Sequence, residues 1–567
     1  MEKKQKEEKN LKNKKKKKVI NIEVNFKIVA IILIAIFCIC VTPVTLQNDT
    51  FYTIKIGELI KNSGIDMMDH FSWHENLSYT YPHWLYDFCT YLVYSIGGFK
   101  AIYILTAVLS AILGISMYIV NNKITKNNVI SFVITVGSIY LLRDYIAARA
   151  QLVTFILFIW EIFFIEKFIE NKKIRYAIGL ILISTLIANL HVATWPFFFI
   201  LFMPYVAEYI IAVIADFIIY KKSKSLILKL KIKNAEKKNE SKEVIEKLKS
   251  NLNELESKVS KIKIKREENN RNPYKIILKR NSNVKFLIII MIICALTGLL
   301  TPLGDTPYTY LYKTMKGNTT QNISEHLPLT LANNQEAQIV LVIFLAILIF
   351  TKAKIKLSDL FMIAGLCYLM FSTRRQFSMF VLMGSIILTK LLIELLARYT
   401  KNGLKELEYA FTNLYIVIAI SVLMLLCSYS TVKDKINKPY VSTSSYPVAA
   451  CDYILENIDL SKARFYNAYN YGSYMLFRDI PVFIDSRADL YAPEFSGKEE
   501  DIFSDFINTS SLSKFYEETF EKYKITHVIT QKASKMNMII TKTNDKNLKE
   551  LYSDDNFVIY ERLNVNE

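Results

Sequence analysis

Two aspartates, Asp49 and Asp69, stand in the first polar stretch that follows an apolar segment, "TLQNDTFYTIKIGELIKNSGIDMMDHFSW" (45–73), with Asp66 between them. Further along, polar and ionisable side chains recur where apolar runs end. They are His83, then Arg143, Asp144 and Arg149 in "RDYIAARAQ", Asn189 and His191 in "ANLHVATWP", and Arg374 and Arg375 in "FSTRRQFSMF". Ionisable groups at a membrane edge are costly and usually face a polar cavity. A carboxylate can take the proton of an attacking hydroxyl. An arginine fork matches a phosphate and stabilises the charge that develops on it as it leaves. Asp49 and Asp69 are therefore candidate catalytic acids. His83, Arg149, His191, Arg374 and Arg375 are candidates for holding a lipid phosphate or substrate. Each has a plainer reading. Asp49 can cap a helix beginning at Thr50, Asp69 can fix a turn, His191 can be a hydrogen-bonded helix end, and the arginine pair can anchor a span. Asp66 reads as a loop charge.

These groups can cooperate only if the chain brings them to one side of a membrane. Of the 567 residues, 52% are hydrophobic, and they fall in runs near the roughly 20 residues a helical span needs. The spans expected are 27–46, 99–120, 128–143, 150–170, 176–191, 196–219, 284–302, 335–351, 357–373, 377–397 and 411–430, about 11 transmembrane helices in an α-helical polytopic protein. With the N-terminus cytoplasmic, the clusters Lys123/Lys126, Lys172/Lys173/Arg175, Lys221/Lys222, Lys352/Lys354/Lys356 and Arg398/Lys401/Lys405 all fall inside. The net charge of +19 thus reflects topology, and nucleic acid is not an expected partner. The arginines in the candidate set are on the outside, against that bias. The seven cysteines form no CxxC pair, which leaves zinc and redox readings without a pattern. No cofactor is assigned. A divalent metal is compatible with the chemistry, and no ligand pattern supports one.

The chain divides at changes of composition. Residues 1–26 form a cytoplasmic tail whose first 18 residues hold ten Lys against three Glu, leading into a retained signal-anchor. Residues 27–221 form an N-terminal transmembrane module with a first outer loop at 47–98. That loop contains an amphipathic piece near 50–62 and a short aromatic helix, His83 to Gly98, in the interface. Residues 222–272 are Lys/Glu-rich, and Ile245, Leu248, Leu252, Leu255, Val259 and Ile262 alternate three and four apart. This seam predicts a cytoplasmic coiled coil or helical hairpin, with self-association or a partner docking through 245–262. Residues 273–430 form a second transmembrane module with an outer loop at 303–334.

Residues 431–567 alternate helical pieces with short apolar strands, "ARFYN", "PVFID", "THVITQ" and "FVIYERL", the pattern of a small extracytoplasmic α/β domain. Its densest segment, Arg464 to Phe495, carries Tyr471, Asp485, Arg487 and Asp489. Ligands of α/β sheets bind beyond strand ends, so these four are acceptor-site candidates. The alternative is an Asp–Arg network that fixes the loop.

Taken together, "NDTFYTIKIGELI…DHFSW…PHWL", "ARAQLVTF", "ANLHVATWP" and "YNYGSYMLF…PVFIDSRADLY" resemble bacterial polytopic proteins of the GT-C glycosyltransferase superfamily. The resemblance covers most of the chain apart from the Lys tail and the 222–272 insert. It implies many spans, an acid in the first outer loop where Asp49 lies, and a polyprenyl-phosphate-linked sugar as donor. Two departures are plain. Asn48 precedes Asp49, so the adjacent acids of some GT-C families are absent, and "YNYGSY" lacks the Trp and Asp of the Trp-Trp-Asp motif of oligosaccharyltransferases. The expectation is a multi-pass protein of the bacterial cell membrane that transfers a sugar, with inversion, to an extracytoplasmic acceptor. Two rivals stand beside it: a transporter or flippase for lipid-linked glycans, and a non-catalytic membrane assembly factor.

Overall fold

Successive apolar runs form helices that travel back and forth between two ends of a bundle. The computed structural model describes residues 24–219, 222–271 and 275–563; the Lys-rich tail lies outside these up to residue 23. The bundle helices are α1 (Phe26–Val41), then, after α2 (Asn48–Ser63) in the first outer loop, α3 (Trp84–Thr125), α4 (Asn128–Leu142), α5 (Ala150–Asn171), α6 (Ile174–Leu190) and α7 (Trp195–Ile219). A pair follows, α8 (Lys222–Lys237) and α9 (Lys242–Arg271). The second module holds α10 (Val284–Leu296), α11 (Thr306–Lys316), α12 (Gln335–Phe350), α13 (Leu357–Ser372), α14 (Phe377–Tyr399), α15 (Gly403–Ala410) and α16 (Leu414–Val432).

By length and composition, four helical stretches among the described residues are apolar enough to cross a membrane: Trp84–Thr125, Val192–Phe217, Arg374–Tyr399 and Leu414–Val432. Five shorter apolar helices accompany them. The expected aromatic helix and the span after it are one continuous element, α3, broken by a kink. Gly97 and Gly98 leave helical geometry there, and Gly98 has φ +59°, a conformation that a side chain disfavours.

The two ends of the bundle differ. One is closed by a buried charge network in which Lys390 Nζ lies 2.8 Å from Glu166 and 2.9 Å from Asp359, while Tyr205 donates to Glu166 at 3.0 Å. The two-residue strands β1 (Ile276–Ile277) and β2 (Ile355–Lys356) pair in parallel at this end. The α8–α9 hairpin lies here too, since it connects the far end of α7 to the start of α10. At the other end, the first outer loop and the C-terminal domain share one apolar core. Phe51 of α2 is fully buried among Phe99, Tyr446, Tyr474 and Phe477, with ring centroids at 5.8, 4.9, 5.1 and 5.7 Å. Burying such a side chain contributes about 2–3 kcal/mol. The loop and the domain are thus built as one unit, although some 400 residues apart in sequence.

The C-terminal domain carries α17 (Val448–Asn457), α18 (Tyr469–Phe477) and a four-stranded sheet of β3 (Phe465–Tyr466), β4 (His527–Gln531), β5 (Leu548–Ser553) and β6 (Phe557–Arg562), in the order β3-β4-β6-β5. β3 and β4 are parallel and the other pairings antiparallel. Two corrections to the sequence reading arise here. "PVFID" is not a strand of this sheet. Its backbone is held instead by the Asn467 side chain, which accepts from Phe483 N at 2.8 Å and donates to Ile484 O at 2.6 Å. Val482 makes a lone parallel bridge to Ser72 of the first outer loop. In turn β5 was not expected. It is a largely exposed edge strand, so its sequence lacks the apolar alternation of a half-buried one.

Candidate active site

The position of Asp49 is set by its two chain neighbours. Asn48 donates from Nδ2 to the Tyr469 carbonyl at 2.9 Å, tying the start of α2 to the start of α18. Thr50 donates from Oγ1 to the Ala148 carbonyl at 3.3 Å, tying it to the residue before Arg149. Held between them, Asp49 Oδ2 lies 2.7 Å from Arg149 Nη2. Asp49 is not the helix cap that the sequence suggested. Gln47 occupies that place and makes no side-chain cap bond, and Asp49 sits in the first turn. There its carboxylate stands at the positive end of the helix dipole.

Arg149 immediately precedes α5 in extended conformation. Its Nη1 reaches 3.5 Å from Glu325 Oε2, and Arg375 Nη1 lies 3.7 Å from Glu325 Oε1. Arg375 also approaches Gln151 Oε1 at 3.5 Å. Asp49, Arg149, Glu325 and Arg375 thus form a line of alternating charge drawn from four separate segments. Burial acts to raise the Glu325 carboxyl, but Arg375 and Arg149 hold it below the usual range. This line borders a cavity of about 580 Å³. A second space of about 480 Å³ lies alongside, and both are walled by Asn48, Arg149, Gln151 and Glu325. At that shared wall Arg149 Nε and Asn48 Oδ1 are buried without a hydrogen-bond partner. Unpaired buried polar atoms are unusual in native proteins and mark a place where a polar ligand or water belongs.

His83 and His191 also border the larger cavity, their rings 5.1 Å apart. His191 Nδ1 lies 3.0 Å from Thr154 Oγ1. Burial, reinforced by Arg375 and Arg149, lowers the His83 pKa to about 3, so its ring is neutral at physiological pH. Asp489 reaches the same cavity from the C-terminal domain, accepting from Tyr310 at 2.5 Å and Thr319 at 3.1 Å. Burial raises its pKa against those two bonds.

The solved structures that the chain resembles in shape include one from an archaeon. It is the crystal structure of the Archaeoglobus fulgidus oligosaccharyltransferase in the apo form, at a TM-score of 0.50 and 11% identity, covering 89% of this chain and 69% of that one. The likeness is one of fold. No family model and no curated protein matches the chain. At a coarse level the expected fold class is what the structure shows: a largely helical chain with several apolar helices and a small sheet domain at its C-terminus.

Of the remaining candidates, Arg487 borders the larger cavity and the others stand elsewhere. Asp69 does not border the cavity. Its side chain is fully buried, lies 2.7 Å from Arg487 Nη1, and accepts from Ser72 Oγ at 2.5 Å and Ser72 N at 3.0 Å. Burial opposes its ionisation, yet Arg487 and Ser72 together keep its pKa below the ordinary value. Asp485 receives Arg487 Nε at 2.9 Å, Arg487 Nη2 at 2.7 Å and the Tyr491 hydroxyl at 2.6 Å. Arg487 is therefore clamped between two carboxylates and lies over the Tyr79 ring. This has the form of the loop-fixing network that the sequence left as an alternative. Tyr471 is buried and donates to the Ile529 carbonyl at 2.8 Å, inside the sheet domain. Arg374 points past the cavity toward the Pro328 carbonyl at 3.4 Å.

Glu325, Tyr310 and Gln151 were not anticipated. Glu325 is one acid in the long outer loop at 303–334, and only its contact with two arginines distinguishes it. The donors present suit an anion better than a cation. Among the described residues no three His, Cys, Asp or Glu side chains group as metal ligands, and both carboxylates of the line are spanned by guanidinium groups.

Proposed function

We propose that this protein is a membrane glycosyltransferase that moves a sugar from a polyprenyl-phosphate donor to an extracytoplasmic acceptor with inversion. The observation that carries the reading is that Asp49, in the larger cavity, is paired with Arg149 of the wall this cavity shares with the second, with Arg375 beyond it. One space holds the donor phosphate and sugar, the other the acceptor, and reaction occurs where they meet. Asp49 Oδ2 is bound by Arg149, which leaves Oδ1 to take the acceptor proton. The acceptor oxygen attacks the anomeric carbon as the bond to phosphate breaks. The phosphate departs with the bonding pair, and Arg149 and Arg375 stabilise its charge. A single displacement inverts the anomeric centre.

In this reading about eleven spans enclose the site, with the N-terminus cytoplasmic and the C-terminal domain extracytoplasmic, in a bacterial cell membrane. The test is sugar transfer in proteoliposomes supplied with a labelled polyprenyl-phosphate sugar. Asp49→Asn should abolish turnover while donor binding persists. Undiminished turnover removes Asp49 as the base, and binding without turnover by the unaltered protein points to a carrier of lipid-linked glycans.

A further inference from the structure

The α8–α9 hairpin lines neither cavity. Ile232 and Ala235 of α8 are buried against α9, and Ile245, Leu248, Leu252, Leu255 and Val259 are half-buried in return. The ion pairs Lys229–Glu256 at 3.1 Å and Lys249–Glu236 at 2.9 Å brace the pairing. Most of the apolar seam is therefore consumed within the hairpin itself. On the other side of α8, Leu226, Ile227 and Leu230 are 64%, 51% and 53% exposed. At 3.6 residues per turn they form one stripe. Lys229 and Lys233 run along one margin, Lys224 and Lys231 along the other. α8 holds six Lys against one Glu, and Lys224, Lys231 and Lys233 have no ion-pair partner among the described residues.

We propose that α8 lies on the bilayer at the end of the bundle opposite the cavity, its aliphatic stripe in the headgroup layer and its lysines on anionic phospholipid. Three observations select this occupant. First, α8 begins where α7 ends, and α7 carries an exposed aliphatic and aromatic row, Ile210, Ile211, Ile214 and Phe217, up to that point. A surface that faces lipid tails thus leads directly into one that fits the headgroup boundary. Second, an apolar stripe edged by lysines on both sides lets each lysine stem lie along lipid while its ammonium reaches phosphate. Third, a nucleic acid would use the charges and leave the stripe wet, and a second copy of the hairpin would meet it with like charge.

The proposal does not depend on the transferase reading. The test uses the full chain reconstituted with the hairpin face outward, carrying Ile227→Cys, and measures modification by a membrane-impermeant maleimide, corrected for the parent chain. In vesicles with one-third anionic lipid the rate should be at least tenfold slower than in purely zwitterionic vesicles, a difference that 0.5 M salt erases. Ser250→Cys on α9 should show no such dependence. Replacing Lys224, Lys231 and Lys233 by Gln, which spares the ion-paired Lys229, should remove about fivefold of the preference per lysine. Equal rates in the two lipids overturn the proposal. So does protection that rises with protein per vesicle, which would assign the stripe to a second copy.

Discussion

Arg149 Nη2 lies 2.7 Å from Asp49 Oδ2, while the other fork nitrogen of the same guanidinium faces Glu325. One arginine thus orients the proposed base and meets the place where a phosphate would develop charge. Replacing it with lysine keeps one charge but loses the fork. Arg149→Lys should lower kcat by roughly 10²-fold, with a smaller change in KM for the donor, read from initial rates in proteoliposomes. A raised KM for the donor with kcat unchanged would assign Arg149 to ground-state binding alone.

Glu325 occupies the gap between Arg149 and Arg375 that a donor phosphate should fill. Glu325→Gln removes the competing anion. It should tighten the binding of a polyprenyl phosphate without sugar by about fivefold, the scale of a partly exposed charge pair. The measurement is a binding isotherm in detergent, and weaker binding by the variant would make Glu325 part of the substrate seat.

The Asp69–Arg487–Asp485 clamp joins the first outer loop to the C-terminal domain with both groups of the Asp69–Arg487 pair excluded from solvent. Removing one partner leaves a buried charge unpaired. Asp69→Asn or Arg487→Met should therefore lower stability by about 3–5 kcal/mol, seen as a drop in Tm and earlier proteolysis between residues 47 and 98. If Asp69→Asn instead leaves Tm unchanged and abolishes transfer, Asp69 returns as a catalytic acid. The pH dependence has a definite sign. Because the folded pKa of Asp69 lies below its ordinary value of 3.8, its contribution is complete above that pH and is lost as pH falls through the folded value.

His83 titrates in the opposite chemical sense but destabilises on the same side. Its folded pKa of about 3 lies below the ordinary value of 6.5, so from pH 6.5 downward the unfolded chain binds a proton that the folded one refuses. Stability should fall as pH is lowered from 6.5 toward 3, and His83→Gln should flatten that part of a Tm–pH profile. An unchanged slope would show that the ring is protonated in the folded protein.

Parts of this arrangement were legible beforehand because they follow from local rules. Apolar runs gave the helices, and the run lengths together with "VKFLIIIMIICAL" or "FSMFVLMGSIILTK" left little choice of class. Asp49, Arg149, His83, His191 and Arg375 stood out by their place at the ends of apolar runs, and one cavity is lined by all five. The heptad seam was also legible, but its partner was not. The seam closes on α8, because a short connection favours the neighbouring helix over a distant one.

The sequence by itself determined where helices form, which side groups sit at their ends, and that two acids follow the first apolar run. Residue type and spacing could not rank those acids, since both are aspartates in one loop, and only the family resemblance put Asp49 first. Only the tertiary structure decided that Arg487, 418 residues away, takes Asp69 into a buried clamp, while Arg149 meets Asp49 at a cavity wall. The physical reason is that an acid's role depends on its partner and its access to solvent. For both aspartates these are fixed by contacts between distant segments, which no local pattern encodes.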